Sequence, residues 1–242
     1  MPLYNEADGI ADTLVELDSE LHKVGVSIVY VVQNDCSTDK SIEALEGVRH
    51  RIHGSLDLES NCKNLRHGPT TRRAYERAIL TSPDVVIQLD SDGQFVATDI
   101  SKMLKTFLLD PSIDSLIGAR TERTDPWFRK IVTLCVRVLF KLRFRVNSLD
   151  PNSPIRIIRP EQLKEALVAI PQDVLTPNIL LTLYFHRRGR VIYVPTVHRV
   201  RRGNHATGTM WDSSKKLIFV PRSLLRFCIS AARQLLQVHK RL

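Results

Sequence analysis

One run constrains this chain more than any other. Residues 85–95 read Val-Val-Ile-Gln-Leu-Asp-Ser-Asp-Gly-Gln-Phe, an apolar stretch that ends in two carboxylates one residue apart and then a glycine. A short β-branched run bounded by Pro83 and Gly93 reads as a strand buried on both faces. Gly93 permits the turn that must follow it. On a regular strand Asp90 and Asp92 share one face. Carboxylates held that close repel unless a cation sits between them, and Mg²⁺ takes one or two carboxylates together with substrate phosphates. Asp-Ser-Asp-Gly is also good turn chemistry, so at this point a metal site and a solvated turn both stand.

With 242 residues the chain is long enough for one α/β domain with a sizeable core. Its formal charge of +9 points to an anionic partner: nucleic acid, phosphorylated substrate or acidic lipid. Cys36, Cys62, Cys135 and Cys228 are scattered, with no C-x-x-C pair. That argues against a disulfide or cysteine–metal framework and fits a reducing, cytoplasmic compartment. No signal peptide and no uninterrupted apolar run of ~18 residues is visible, so a bilayer span is not expected.

Taken in order, residues 1–6 are turn-like and residues 7–23 helical, with Ile10, Leu14, Leu17 and Leu21 at helical spacing. An α/β fold normally places a strand before that helix, so the first strand is expected to be missing. Residues 26–32 predict a strand ending at a polar cluster that holds Asp35, with Ser37 or Thr38 as cap for a helix over 40–48. A weak strand over 51–57, a basic helix over 70–80 and the strand ending at Asp90 follow. Strand and helix alternate and the polar clusters fall at strand ends, which predicts a mostly parallel sheet with its ligand crevice at that edge. Asp35 and Asp90 both lie there, which favours the metal–nucleotide reading. Further on, helices are expected over 98–109, 161–170 and 178–188, and strands over 115–119, 155–158 and 191–194.

Residues 127–146 are apolar but carry six Arg or Lys, and at 100° per residue Lys130, Arg137 and Lys141 share a helix face. A basic amphipathic helix opening with Trp127 and Phe128 suits a membrane interface; a core-packed helix with a solvated basic face is the alternative. The basic run His198, Arg199, Arg201, Arg202, Gly203, Asn204 and His205 reads as an anion-binding loop or a solvated one. The tail, 211–242, is again basic and amphipathic, a second candidate for the membrane surface.

Four of these stretches, in order, resemble the family 2 glycosyltransferases of the GT-A fold, closest to their polyprenyl-phosphate branch. Residues 2–6 (Pro-Leu-Tyr-Asn-Glu) resemble P-x-Y-N-E, and residues 34–39 resemble N-D-G-S-T-D with Cys36 in place of glycine. Residues 90–94 resemble D-x-D-G-Q, and residues 153–159 resemble S-G-F-R-x-x-R with Pro154 in place of glycine, after an aspartate matched by Asp150. The likeness covers residues 2–208, so the expected domain is a Rossmann-like GT-A unit over 1–210 with the helical tail appended. It implies that Pro2, Tyr4, Glu6 and Asp35 lie by the nucleotide, and that Asp90 faces it. It implies that Asp90, Asp92 and Gln94 hold or frame Mg²⁺ or Mn²⁺ on the diphosphate. Arg120 and Arg156, with Asp150, would serve the acceptor phosphate, and Arg199, Arg201 and Arg202 would close over the diphosphate.

The residues give a mechanism of their own. A sugar leaves as a nucleoside diphosphate only when the developing charge is neutralised, which a cation and arginines can do. A hydroxyl acceptor needs a general base, but residues 175–180 (Leu-Thr-Pro-Asn-Ile-Leu) offer no acid after Asp173. A phosphate acceptor is already ionised and needs only cations to dock it. The expectation is therefore inverting, metal-dependent transfer from a nucleotide sugar to a polyprenyl phosphate by a peripherally membrane-bound protein. The alternatives are transfer to a sugar hydroxyl, a nucleotidyltransferase, and an inactive nucleotide-sugar-binding homologue. Nucleic acid is not expected as partner, because aromatic residues make up only 6% of the chain and do not interleave the basic groups as a stacking platform requires.

Overall fold

Apolar runs and helical repeats alternate along the chain, and the computed structural model resolves them into strands and helices in the same order. The structure describes residues 1–121, 127–202 and 222–239, with the backbone alone at 127–132 and 222–225. β1 (Pro2–Leu3) leads to α1 (Ile10–His22), β2 (Val29–Asn34) to α2 (Ser41–Val48), β3 (Ser55–Ser60) to α3 (His67–Leu80) and β4 (Val86–Gln88) to α4 (Ala97–Leu109). Then follow β5 (Ser115–Thr121), α5 (Trp127–Leu139), β6 (Arg156–Ile158), α6 (Pro160–Ala169), α7 (Pro177–Arg188), β7 (Val191–Val197) and α8 (Arg222–Val238). Pro160 and Pro177 open α6 and α7, where a missing N–H costs nothing.

The α/β class with a parallel sheet and flanking helices is borne out. The strands fall into two groups: a parallel sheet in the order β1-β2-β3, and a second in the order β4-β6-β5-β7. In the second, β6 runs antiparallel to β4 and β5, while β5 and β7 are parallel. One hydrophobic cluster joins Leu3, Ile10, Leu14, Val32, Phe107 and Leu116; another joins Tyr75, Phe140, Leu163, Leu181 and Phe185. Leu235 and Val238 of α8 belong to the second cluster, so this helix of the tail packs on the core.

Several expectations change. Pro2 and Leu3 are not a turn but a strand, with Pro2 opposite Gln33 and Leu3 opposite Asn34. Two residues are too few for periodicity to reveal. β2 continues through polar Gln33 and Asn34 because both stay in the ladder, opposite Glu59 and Ser60 of β3. Ser37 and Thr38 do not cap α2: Ser37 Oγ accepts from Asn5 N and Thr38 N donates to Asn5 Oδ1. Asp39 Oδ1 instead accepts from Ser41 N at 3.0 Å. The helix expected over 127–146 stops at Leu139, passes through a π-helical turn (Phe140–Phe144) and ends at Arg145 with φ 58°. Residues 203–221, with Gly203, Asn204, His205 and the start of the tail, lie outside the described residues, as do the side chains of Trp127, Phe128 and Lys130.

Candidate active site

β4 ends at Gln88, so Asp90 and Asp92 lie beyond the strand. The argument that they share a strand face therefore does not apply, and the turn brings them together instead. Gly93 takes φ 67°, and Asp92 Oδ1 accepts from Gln94 N at 3.1 Å, as short acidic turns do. The two aspartates nevertheless border one cavity of about 30 Å³ with Gln94, Arg120, Pro154 and His198. That space holds one small ion or water. Burial pushes the Asp92 carboxyl up to about 6, and the charge of Asp90 adds to the effect. His67 Nε2 approaches Asp90 Oδ1 at 4.0 Å.

The basic segment lies against this turn through its backbone. Arg199 N donates to Gln94 O at 3.2 Å and Arg202 N to Asp92 O at 3.1 Å; Gln94 Nε2 returns a bond to Arg199 O at 3.3 Å. The guanidiniums reach carboxylates on the other side of the crevice: Arg199 and Arg202 meet Glu16, and Arg201 meets Glu6. Arg202 also packs over Gly93, where an added Cβ would fall 3.1 Å from its Cδ.

Glu6 is buried at the entrance of α1, and its backbone oxygen accepts from Gly9 N and Ile10 N. Burial lifts its carboxyl to about 7, outweighing the opposing pull of Arg201, with the Asp92 charge pushing the same way as burial. Glu6 thus faces Arg201 in this structure. Tyr4 stands exposed beside it, and Pro2 is held in β1. Asp35 follows β2 and is buried; its Oδ1 accepts from Asn61 Nδ2 at 2.8 Å and Leu65 N at 2.7 Å.

Arg156 does not face an acceptor, and here the expectation is overturned. Its side chain is wholly buried, with Nε donating to Ser153 O, and Nη2 to Pro151 O and Thr182 Oγ1. It pins the loop before β6 and lies outside the crevice. Asp150 is no base either: Arg120 Nε donates to its Oδ2 at 2.7 Å and Nη2 to its Oδ1 at 3.0 Å. A buried carboxylate that accepts at both oxygens orients its partner, so Asp150 positions Arg120 at the cavity rim.

Asp90, Asp92, Gln94 and His198 are the groups that could hold a cation here. Among the described residues no three His, Cys, Asp or Glu side chains converge as a cage. Mg²⁺ or Mn²⁺ fits the two repelling carboxylates, and would draw its remaining ligands from phosphate or water. Two participants were missed in the sequence, Glu16 and Asn61. Glu16 looks like any polar residue on an amphipathic helix, and Asn61 like any loop residue. His198 was read as part of the basic run, and its place beside Asp90 depends on β7 lying next to β5.

No protein-family model matches the chain. Over 201 residues, 83% of the chain, it is 23% identical to undecaprenyl-phosphate 4-deoxy-4-formamido-L-arabinose transferase of Edwardsiella ictaluri, and it spans 59% of that relative's length. Over 183 residues it is 26% identical to an uncharacterized protein, MJ1222, of Methanocaldococcus jannaschii, covering 72% of this chain and 68% of that one. Among solved structures, glucosyl-3-phosphoglycerate synthase of Mycobacterium tuberculosis, crystallised with Mn²⁺ and UDP-glucose, superposes with TM-score 0.65 at 19% identity. That match covers 99% of this chain and 77% of the other. A second structure of that enzyme, holding Mn²⁺, UDP and phosphoglyceric acid, gives TM-score 0.64 at 18% identity, over 98% of this chain and 76% of the other. The fold is the GT-A glycosyltransferase fold. Within it, the resemblance to the family 2 glycosyltransferases that the four ordered motifs carry is borne out.

Proposed function

We propose that the chain is a metal-dependent, inverting glycosyltransferase that moves a sugar from a nucleoside diphosphate to a polyprenyl phosphate. The observation that carries this reading is the shared cavity. It is lined by Asp90, Asp92 and Gln94 together with Arg120, which Asp150 orients. Asp90 and Asp92 would hold the divalent ion, which when bound would supply charge neutralisation to a departing diphosphate. Arg201 moves from Glu6 to the phosphates, and Asp35 and Tyr4 frame the nucleoside.

A phosphate acceptor follows from what the carboxylates do. Asp150 is committed to Arg120, and Asp173 is exposed on the loop before α7. Neither is placed to deprotonate a hydroxyl, whereas an ionised phosphate needs only Arg120 to dock it. The name of the Edwardsiella relative, an undecaprenyl-phosphate sugar transferase, supports the same acceptor class.

The membrane surface is reached through α5, the π turn and α8. Leu134, Val138 and Leu142 are exposed alongside exposed Arg137 and Lys141, and Ile229 and Leu236 are exposed near Arg226 and Arg233. A merely solvated basic face would not also carry apolar side chains one turn apart; an interfacial helix does. No helix among the described residues is long and apolar enough to cross a membrane.

The test combines binding and turnover. Thermal shifts are recorded with UDP- and GDP-sugars, with and without Mn²⁺, and transfer is then assayed onto undecaprenyl phosphate in anionic vesicles, onto phosphoglycerate and onto a free sugar. One donor should stabilise the chain only with Mn²⁺, and label should appear in the lipid. Product on the free sugar alone, or no shift with any donor, rejects the proposal.

A further inference from the structure

β2 and β3 run parallel, and their last ladder pair sets Asn34 opposite Ser60. The pairing goes one step further through Asn61, whose N donates to Asn34 O at 2.8 Å and whose Nδ2 donates to Asp35 Oδ1 at 2.8 Å. The step after that sets Cys36 opposite Cys62. Cys36 Sγ reaches across: it donates to Asn61 O at 2.8 Å. That oxygen belongs to the peptide joining Asn61 to Cys62, so by covalent geometry the Cys36 sulfur lies within roughly 6 Å of the Cys62 Cα. Chains at ladder spacing are about 4.8 Å apart, inside the Cα separation of about 4.4–6.8 Å that a disulfide spans. Both residues are free thiols in this structure, Cys62 exposed and Cys36 half-buried. Cys36 also takes φ 58°, a left-handed backbone that is strained for an L residue and free for glycine.

We propose that Cys36 and Cys62 are an oxidation site: a thiol pair that a peroxide closes into a disulfide, tying the loop over 61–65 to the end of β2. The exposed Cys62 sulfur attacks a peroxide oxygen, the O–O bond breaks, and a sulfenic acid forms while one water leaves with the thiol proton. The Cys36 sulfur then attacks the Cys62 sulfur. The S–O bond breaks, and the oxygen leaves as a second water with the Cys36 proton. Two thiols give up two electrons, and one hydrogen peroxide takes them up as two waters.

The loop so tied is the one that holds Asp35. Asn61 Nδ2 and Leu65 N both donate to Asp35 Oδ1, and Asn64 Nδ2 donates to Asp35 O at 3.2 Å. Asn61 is itself fixed from the other side, where its Oδ1 accepts from Gln33 Nε2 at 3.0 Å and Arg73 Nη1 at 2.9 Å. A bond at Cys62 therefore stiffens the segment that orients the Asp35 carboxylate. The inference holds whichever substrate Asp35 meets and stands apart from the transfer chemistry proposed above.

The test uses the full chain with Cys135→Ser and Cys228→Ser, so that Cys36 and Cys62 are the thiols that remain. Hydrogen peroxide in small excess should remove both from a thiol titration, and tryptic mapping should find the Cys36 peptide joined to the Cys62 peptide in a monomer. Dithiothreitol should restore both thiols. Against glutathione, the pair should close in the folded chain with an effective concentration about 10-fold or more above that in concentrated urea. Amide exchange at Asn61 and Leu65 should slow about 10-fold in the oxidised form. Moving the thiol one step off register, by Lys63→Cys with Cys62→Ser, should abolish the advantage of the folded chain. Should the serine variants not fold, the same crosslink is mapped in the parent chain. Overoxidation of Cys62 with Cys36 left as a thiol, disulfide-linked dimers, or equal effective concentrations folded and unfolded would overturn the proposal, as would unchanged exchange at Asn61 and Leu65.

Discussion

Replacing Asp92 by Asn removes a charge that the fold holds at a cost. Burial and the neighbouring Asp90 raise the Asp92 carboxyl from 3.8 to about 6. The folded chain therefore binds a proton there more tightly than the unfolded chain, and the group's contribution to stability falls as pH rises from about 4 to about 6. Above that window the penalty is complete. At 1.4 kcal/mol per pH unit the interval corresponds to about 3 kcal/mol. Part of the repulsion is shared with Asp90, so we take about 1–3 kcal/mol for Asp92 alone. Asn keeps the shape and can still accept from Gln94 N through Oδ1. Without divalent ions at pH 7.5, Asp92→Asn should raise Tm by roughly 2–8 °C for a chain of this size. At pH 4 the difference should vanish. With Mn²⁺ and a nucleoside diphosphate the order should reverse, because the parent gains a cation that the variant holds poorly. Calorimetry at the two pH values, with and without Mn²⁺, reads all three. A variant no more stable than the parent at pH 7.5 without metal would refute the reasoning, and so would an advantage that persists at pH 4.

Gly93→Ala places a Cβ 2.6 Å from Thr13 Oγ1 and against Arg202, at φ +67°; the expected cost is about 1–3 kcal/mol, with weakened nucleoside diphosphate binding in calorimetric titration. Cys36→Gly should stabilise by about 0.5–1 kcal/mol in urea unfolding, because Cys36 sits at φ 58° where glycine carries no strain; losing its Sγ bond to Asn61 O limits the gain. His186 is held below its usual 6.5 by burial and then by Arg156, and its Nε2 lies 2.8 Å from Tyr193 Oη. Stability from this neutral imidazole is complete above pH 6.5 and is lost as pH falls through the lower folded value. His186→Gln should therefore lose less stability than the parent between pH 7.5 and pH 5, read as urea midpoints.

Much of the fold was legible because it rests on local pattern. The apolar run before Asp90, the helical spacing of Ile10, Leu14, Leu17 and Leu21, and prolines at helix starts are one-dimensional signals of burial and of backbone geometry. Three of the four motifs marked strand ends while the fourth contains β6 whole, and the acidic turn and the basic segment do meet. Arg156 misled because a motif match says nothing about depth: the same residue type that docks a phosphate can bond two loop carbonyls and a hydroxyl of α7 in the core. Cys36 shows the reverse, a departure from a glycine position that keeps the left-handed backbone and gains a bond to Asn61 O.

The sequence by itself determined most of the strands and helices, and that carboxylates and guanidiniums cluster at strand ends. Only the tertiary structure decided which of those charges face each other. Arg120 was committed to Asp150, Arg201 to Glu6, and Arg199 and Arg202 to Glu16, across separations of 30 to 195 residues. The physical reason is that a strand or helix is specified by neighbours in the chain. A charge pair is specified by the depth and proximity that sheet order imposes.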